Sequence, residues 1–233
     1  MSLSARLREL LEFDAALLAN TIGYIDPTPP EDLYLGGTIQ CQTPGFGPMA
    51  GVAVTCELDA SSPGGTHDMG PFFQQLEQIE RLGAPAVWVV KAVGSRPDHE
   101  CVLGDGSAKL LHRAGCVGMV TDGGVRDVAG LASIPFHAFA RGRVIHHAAM
   151  RFRALNQPVE VGGLTIRTGD ILHGSVEGVI RIPPACLDRL PERAAKMRAF
   201  EHEAHFVFRQ PGLPLAEVRE RVKALLGQYG FSK

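Results

Sequence analysis

The sequence has no long apolar run, no cluster of basic residues and few aromatic side chains, which make up 6% of its 233 residues. Without about 20 consecutive apolar residues, no segment is predicted to span a membrane. The first residues, MSLSARLRELLEF, lack the apolar centre of a signal peptide. A net charge of −2 without a Lys/Arg run argues against binding to nucleic acid, which requires a basic surface. We therefore expect a cytoplasmic protein that binds neither membranes nor nucleic acid.

The cysteines form no recognisable framework. There are five of them, an odd number, they are widely spaced, and no pair forms a C-x-x-C motif. This pattern excludes a disulfide scaffold or a structural zinc site as the basis of the fold. We interpret the cysteines as small apolar residues that fill space in strands and loops. Their positions are Cys41, Cys56, Cys101, Cys116 and Cys186.

Motifs for nucleotide cofactors are missing as well. The turn that begins at Asp122-Gly-Gly is not followed by a G-x-G-x-x-G or a Walker pattern. Nucleotide binding and methyl transfer from a nucleoside cofactor therefore have little support. The overall composition, 45% hydrophobic and 21% charged, is that of an ordinary globular protein with one large domain or two small ones.

Alternating helix and strand signals predict an α/β fold. A first helix is expected from Ser4 to about Thr21, and an amphipathic helix from Phe72 to Leu82 ends at Gly83. The apolar run 86–90 is typical of a strand that is covered on both faces. A short helix over 108–114 and a second buried strand from Val117 repeat this unit. Such alternation indicates layered α/β structure with parallel strands.

The last third of the chain changes character. Residues 159–182 read as short strands joined by glycine turns, and the chain beyond Pro184 reads as helical, with an interruption at Gly212. No internal repeat or change in composition marks a second domain. We predict one domain over residues 1–233, with a core at about 36–183 and a C-terminal helical extension at about 184–233.

The candidate site lies between Gly104 and Asp127. Asp105 occupies a glycine-flanked loop that opens a helix, and Arg126 and Asp127 follow the next strand. In open α/β sheets, ligands bind at the carboxyl ends of strands. Two carboxylates beside an arginine suit a hard divalent cation and an anionic substrate. Alternatively, Asp105 and Asp127 could be helix N-caps, with Arg126 a solvated surface residue. From spacing alone, this structural interpretation is the stronger one.

A resemblance changes that balance. The run from Gly104-Asp-Gly-Ser to Val125-Arg-Asp resembles the signature of the RraA-like family, which contains class II 4-hydroxy-4-methyl-2-oxoglutarate aldolases, oxaloacetate decarboxylases and regulators of ribonuclease E activity. Its aldolases have an aspartate, twenty intervening residues and then Arg-Asp, as Asp105 and Arg126-Asp127 do here. Residues 48–55, 169–173 and 177–183 are also similar to family strands. The likeness covers about residues 36–183.

The resemblance implies a fold and a mechanism. The fold would be a single β/β/α-type layered domain of the swivelling kind, with helical N- and C-terminal extensions. Asp127 would bind Mg²⁺ or Mn²⁺, Arg126 would stabilise a pyruvate enolate, and Asp105 would position a metal-bound water. The substrate, a small 2-oxo acid, would be cleaved between C3 and C4 or decarboxylated. It would be bound by the residues Gly104, Asp105, Gly106, Ser107 and Arg126.

The resemblance also implies an assembly. Family members form trimers or dimers of trimers, and an acid from a neighbouring subunit can complete the site, for which Glu203 or Glu201 is the candidate. The alternative function is a non-catalytic regulator that binds ribonuclease E or an RNA helicase. Asp105 favours catalysis over that alternative, since a regulator does not need the paired acid.

Three residues depart from the family pattern, and each places the recognition of the distal part of the substrate in question. Gly130 stands where a charged residue is frequent. Gly106 replaces a leucine that is common in the aldolases. Ser175 occupies the end of a strand where the family usually has aspartate.

The histidines offer further candidates. His67 lies near the expected position of the family's active-site loop, where a turn formed by Asp68 is favoured over a substrate contact. His146 and His147 are predicted to be adjacent residues of one helix, about 100° apart, and so unable to chelate one ion. His173 is expected to be buried in a strand and hydrogen bonded.

Overall fold

The longest strand, β2, runs through the middle of an eight-stranded sheet in the computed structural model, which describes residues 1–232. The strands are β1 (Gln40–Cys41), β2 (Met49–Asp59), β3 (Ala86–Ala92), β4 (Cys101–Leu103), β5 (Cys116–Thr121), β6 (Gly124–Val125), β7 (His137–Ala140), β8 (Gly142–Arg143), β9 (Arg151–Arg153), β10 (Val159–Val161), β11 (Leu164–Ile166), β12 (Ile171–Ser175) and β13 (Gly178–Ile182). The order in the main sheet is β1-β7-β5-β3-β2-β12-β13, with β9 also paired to β2. Strands β2, β3, β5 and β7 are parallel, and β1, β12, β13 and β9 are antiparallel to their neighbours.

Strand β3 is buried on both faces, as its apolar run predicts. Trp88 and Val90 belong to one apolar cluster, whereas Val87 and Val89 point into another on the opposite face. Trp88 packs edge-on against Phe72, with ring centroids 5.5 Å apart. These clusters fix the main sheet as the centre of the fold.

A second, smaller sheet consists of β4, β6 and β8 in parallel order. Its strands are only two or three residues long, which is too short for a periodic signal in the sequence. The sequence-based interpretation placed Arg126 after the strand at Val117, but the strand that precedes it is β6. A separate antiparallel hairpin joins β10 and β11 through Gly162 and Gly163, both with positive φ.

Seven helices cover the sheets in the described part of the chain. They are α1 (Leu3–Leu10), α2 (Ala15–Ile22), α3 (Gly70–Arg81), α4 (Asp105–Ala114), α5 (Val128–Leu131), α6 (Leu190–Phe208) and α7 (Leu215–Tyr229). The single helix predicted over 4–21 is wrong, because Asp14 interrupts it. The Asp14 carboxylate accepts a hydrogen bond from the backbone N–H of Leu17 at 2.7 Å and starts a new helix.

The C-terminal helices agree with the prediction. Helices α6 and α7 pack against each other, and α6 also contacts α2. One apolar cluster joins both N-terminal helices to α6, with Leu18, Ile22 and Leu190 fully buried. Together with the α/β layers, this arrangement confirms the predicted fold class. Among residues 1–232, no helix is both long and apolar enough to cross a membrane.

His173, in the middle of β12, is fully buried, as predicted. In place of a well-formed hydrogen bond, however, the ring has only weak contacts with backbone groups of Leu10 and Phe13. Burial penalises the charged ring and lowers the pKa of His173 to about 4. The imidazole is therefore neutral in the folded protein at neutral pH.

This burial makes stability depend on pH. In the unfolded chain, His173 takes up a proton below its ordinary pKa of about 6.5, whereas the folded protein resists protonation down to about pH 4. We expect its contribution to the free energy of unfolding to fall by about 3 kcal/mol as pH drops through this window, and to be constant above it. Urea unfolding of the wild type and His173→Leu at several pH values measures the difference. Parallel curves for the two proteins would contradict the prediction.

Candidate functional site

The short parallel sheet brings the predicted site residues together. Strands β4 and β6 pair in parallel, with Cys101 opposite Gly124, and the backbone N–H of Arg126 donates to the carbonyl of Leu103 at 2.9 Å. The segments that follow both strands therefore start side by side. One carries Asp105, and the other carries Arg126 and Asp127. The predicted meeting of these residues at one edge is observed, although at a sheet that was not predicted.

A cavity of about 300 Å³ opens at this edge. All six predicted catalytic, substrate-binding and metal-binding residues between 104 and 127 line it. The lining residues are His67, Met69, Cys101, Val102, Gly104, Asp105, Gly106, Ser107, Arg126, Asp127, His147 and Met150. The lining thus includes two groups of side chains. Asp105, Arg126 and Asp127 are called the charged wall here, and His67, Met69, His147 and Met150 the second wall.

Asp105 is not a helix N-cap. Gly104 occupies the cap position, and Asp105 is the first residue of α4. Its Oδ2 accepts a hydrogen bond from Lys109 Nζ at 2.6 Å, one helical turn later. This bond lowers the pKa of the Asp105 carboxyl. Asp105 therefore presents a carboxylate to the cavity at neutral pH.

Asp127 is not a capping side chain either. It precedes α5, but its side chain makes no capping hydrogen bond, and its backbone is left-handed, with φ 55° and ψ 40°. This conformation is uncommon outside glycine, although aspartate and asparagine tolerate it best. Such conformations persist where the surroundings impose them, often at functional sites. The carboxylate is left facing the cavity wall.

Arg126 lies against that carboxylate. Its Nε is 3.3 Å from Asp127 Oδ2, in a geometry that does not form a hydrogen bond, and Nε is buried without another partner among the described residues. The Arg126 side chain as a whole is 35% exposed and lines the cavity. An arginine that is partly desolvated and lacks full hydrogen bonding can bind an anionic ligand.

The cluster depends on a close approach at Gly104. A Cβ atom there would lie 2.7 Å from Asp127 Oδ2 and 3.1 Å from Arg126 Nε. At Gly106, by contrast, a Cβ would meet no atom within 4 Å. Gly104 thus leaves room for the carboxylate and the guanidinium, whereas Gly106 borders open space.

The three residues that depart from the family pattern lie in different surroundings. Gly106 leaves space at the cavity where a leucine side chain is common in the family. Gly130 packs onto Asp105, and a Cβ there would be 2.8 Å from Asp105 Cβ. Ser175 lies outside the cavity lining, and its Oγ accepts a hydrogen bond from the Ala15 backbone N–H at 3.2 Å. Only the two glycines therefore bear on the site.

Two histidines belong to the second wall. His67 and His147 line the cavity, with ring centroids 6.4 Å apart. The helix predicted at His146 and His147 is wrong, because residues 144–150 are irregular and Ala148 has φ 45°. No local pattern marks His147 as a site residue. It reaches the cavity because the chain leaves β8 beside β6, where Val144 N–H donates to the Val125 carbonyl at 3.0 Å.

Two further polar residues, Cys101 and Glu203, are explained by their contacts and burial within the protein. Burial raises the pKa of the Cys101 thiol to about 11, so the cysteine of the cavity is a neutral wall residue at neutral pH. Glu203 lies on α6, outside the cavity lining, and accepts a hydrogen bond from Tyr229 Oη at 2.5 Å. Its predicted role toward a neighbouring subunit stays a prediction, as does that of Glu201.

The fold and the site define an α/β protein with a small polar cavity, walled by acids and an arginine, at the ends of parallel strands. The model of the RraA-like family, described as Aldolase/RraA, matches residues 32–181. The chain belongs to the RraA-like family.

Individual relatives agree with this membership. Proteins named "Putative 4-hydroxy-4-methyl-2-oxoglutarate aldolase" from Halalkalibacterium halodurans and Ectopseudomonas mendocina are each 32% identical to this chain. The first alignment covers 42% of this chain and 47% of the relative, and the second covers 47% and 67%. The chain thus matches about half of the first relative's length. A crystal structure of Streptomyces coelicolor RraAS2, titled an unusual member of the RNase ES inhibitor RraA protein family, superposes with a TM-score of 0.69. It is 20% identical, over 86% of this chain and 96% of that one, which shows a shared fold.

Proposed function

We propose that this protein is a divalent-metal-dependent carbon–carbon lyase that cleaves a 4-hydroxy-2-oxo acid, with oxaloacetate decarboxylation as a second reaction of the same site. The observation that carries the proposal is the convergence of Asp105, Arg126 and Asp127 on one cavity. Neither carboxylate caps a helix, which supports a functional role over the capping explanation for their positions. The names of two relatives point to the same chemistry.

The donor set fits Mg²⁺ or Mn²⁺. The Asp127 carboxylate is a hard oxygen donor that could bind the cation directly, and the Asp105 carboxylate could position one of its water ligands. The described residues contain no group of three or more His, Cys, Asp or Glu side chains that could hold a metal ion. Mg²⁺ suits such a site because it keeps several water ligands and takes one or two carboxylates. Asp127 would hold the cation, which when bound would polarise the 2-oxo group of the substrate.

The start of α4 would bind the substrate carboxylate, and Arg126 would contact a different oxygen of the substrate. The first hydrogen bond of α4 runs from the Ala108 N–H to the Gly104 carbonyl, so the N–H groups of residues 105–107 donate to no carbonyl of the helix, although the Gly106 N–H contacts the Asp105 carboxylate. A helix N-terminus of this kind favours an anion. The Arg126 guanidinium would contact the oxygen on which negative charge develops as the C3–C4 bond breaks.

Cleavage of a 4-hydroxy-2-oxo acid would release pyruvate and a carbonyl compound. The 4-hydroxyl group loses its proton, the C3–C4 bond breaks, and C4 becomes a carbonyl group. The bonding electrons form a pyruvate enolate, whose C3 takes up one proton to give pyruvate. In oxaloacetate, CO₂ leaves from the same bond and the same enolate forms.

Pyruvate release tests this proposal. We expect turnover of 4-hydroxy-2-oxoglutarate and of oxaloacetate by purified protein with Mg²⁺ or Mn²⁺, and a loss of about 100-fold or more with EDTA, because charge stabilisation by the cation is removed. Addition of excess Mn²⁺ should restore the rate. Absence of turnover with every divalent cation, together with a stable complex with ribonuclease E or an RNA helicase, would favour the regulatory function instead.

A further inference from the structure

His67 and His147 have no role in the reaction described so far, although both line the cavity. Their ring centroids are 6.4 Å apart, on the wall formed by the segments 67–69 and 147–150. His146, the neighbour of His147, is not part of the cavity lining and is exposed. Because the pair and the charged wall line the same cavity of about 300 Å³, the pair can contact the distal part of a substrate that is bound at the charged wall.

Backbone groups fix opposite roles for the two rings. The Met150 N–H donates to Nδ1 of His67 at 3.2 Å, so the neutral His67 ring carries its proton on Nε2. The Ala148 carbonyl can only accept, and it lies 2.8 Å from Nδ1 of His147. The neutral His147 ring therefore donates from Nδ1 and holds a lone pair on Nε2. The other ring nitrogen, Nε2, has no hydrogen-bond partner among the described residues. It is a donor in His67 and an acceptor in His147.

The backbone at His147 is held in an unfavourable conformation. Ala148 has φ 45°, a left-handed value that is uncommon for a residue with a Cβ and without a side-chain hydrogen bond. Asp127, Ala154 and Asn156 have the same kind of conformation, and of these Asp127 lines the cavity. Strained backbone of this kind persists where the surrounding structure imposes it, and it clusters at functional sites. Here the conformation of Ala148 sets the position of the carbonyl that orients the His147 ring.

We propose that this pair binds the 4-hydroxyl group of the substrate, with His67 donating to its oxygen and His147 taking its proton. A hydroxyl group has one donor and two acceptor sites, which match one acceptor and one donor on the protein. The inference rests on the proposed lyase function and deepens it, because it selects 4-hydroxy-2-oxo acids as the substrate class. His147 is then a catalytic base.

The proton that leaves the 4-hydroxyl group and the proton that C3 receives are both carried by His147. Nε2 of His147 takes the proton of the 4-hydroxyl group while C3–C4 breaks and C4 becomes a carbonyl. The resulting imidazolium returns that proton to C3 of the enolate, which gives pyruvate and a neutral ring. Oxaloacetate has no 4-hydroxyl group, so its decarboxylation does not need this base, and its enolate can take a proton from water.

A single variant can therefore distinguish the two reactions by their rates. We expect His147→Gln to lower kcat for retro-aldol cleavage of 4-hydroxy-2-oxoglutarate by about 100-fold, a usual effect of removing a general base. Oxaloacetate decarboxylation by the same variant should stay within about threefold of the wild type. His67→Leu, which removes the donor, should slow the retro-aldol reaction by about tenfold. His112→Gln, at an exposed histidine in the last turn of α4 outside the cavity lining, is the matched control and should change neither reaction.

A measurement without turnover accompanies these assays. The ¹⁵N shifts of the imidazole in the free protein should show His147 protonated on Nδ1 and His67 on Nε2 at pH 8. Equal slowing of both reactions in His147→Gln, unchanged rates, or the opposite tautomers would overturn the inference and leave the proposed lyase standing. Wild type that decarboxylates oxaloacetate but cleaves no 4-hydroxy-2-oxo acid would overturn it as well. Wild type that turns over neither substrate would overturn both proposals.

Discussion

Replacement of Asp127 by asparagine is expected to lower kcat by at least about 10³-fold, because the proposed cation loses its one direct protein ligand. Lewis-acid stabilisation of this kind is worth several kcal/mol, and each 1.4 kcal/mol corresponds to about tenfold in rate. Asparagine is the informative substitution because it has almost the same size and also tolerates the left-handed conformation of residue 127. The fold should therefore survive while the charge is lost.

Pyruvate release at saturating Mn²⁺ measures this effect, and the affinity for Mn²⁺, followed by the paramagnetic resonance of the free ion, measures its cause. Asp32→Asn, at an exposed aspartate outside the cavity lining, is the matched control. It should change neither quantity. Turnover by Asp127→Asn within tenfold of the wild type, at equal Mn²⁺ affinity, would contradict the assignment of Asp127 as the metal ligand.

Much of the fold could be predicted because its periodic elements carry their own signals. The spacing of Phe72, Leu76 and Ile79 in α3, the apolar run of β3 and the glycines that end α3 and α4 are local features, and the structure places each where the sequence indicates. Phe73 and Leu82, which the sequence assigns to the same face of α3, are exposed instead. Asp14 shows the limit of periodicity. The leucines on either side of it continue at near-helical spacing, but its side chain starts a second helix.

The site was predictable for a different reason. Asp105, Arg126 and Asp127 are recognised by a spacing that belongs to a family, not by local physics, which favoured helix caps. The structure removes that alternative: Gly104 takes the cap position, and the Asp127 side chain caps nothing. Their proximity depends on the pairing of β4 with β6, a contact between strands of three and two residues that no pattern in the sequence reveals.

The sequence indicates only one of the two histidines of the second wall, since His67 lies near the expected active-site loop of the family and His147 does not. His147 follows a two-residue strand and a stretch of irregular backbone, and helical propensity gave the wrong structure there. Its setting depends on contacts with residue 67, eighty positions earlier in the chain. The sequence also does not distinguish the surroundings of Gly104 and Gly106. The structure shows that Gly104 faces a carboxylate and that Gly106 faces open space.

Arg126→Met should lower kcat by about 10³-fold through a cause distinct from that of Asp127→Asn. Methionine keeps most of the length of the side chain but removes the donors that face the developing enolate charge, a loss worth about 10²–10³ for a single donor in comparable sites. Arg126→Lys should recover only part of the rate, because an ammonium group supplies charge without the planar fork of donors. Arg143→Met, at an exposed arginine of β8 outside the cavity lining, should leave kcat unchanged.

The two substitutions are further separated by metal binding. Arg126 Nε lies 3.3 Å from Asp127 Oδ2, so the guanidinium competes electrostatically with a cation for the same carboxylate. Loss of that positive charge should leave the affinity for Mn²⁺ unchanged or higher, even as kcat falls. Asp127→Asn should lower both the affinity for Mn²⁺ and kcat. A fall in Mn²⁺ affinity in Arg126→Met that matches its fall in kcat would show that Arg126 acts by holding Asp127 in place, and not by stabilising charge on the substrate.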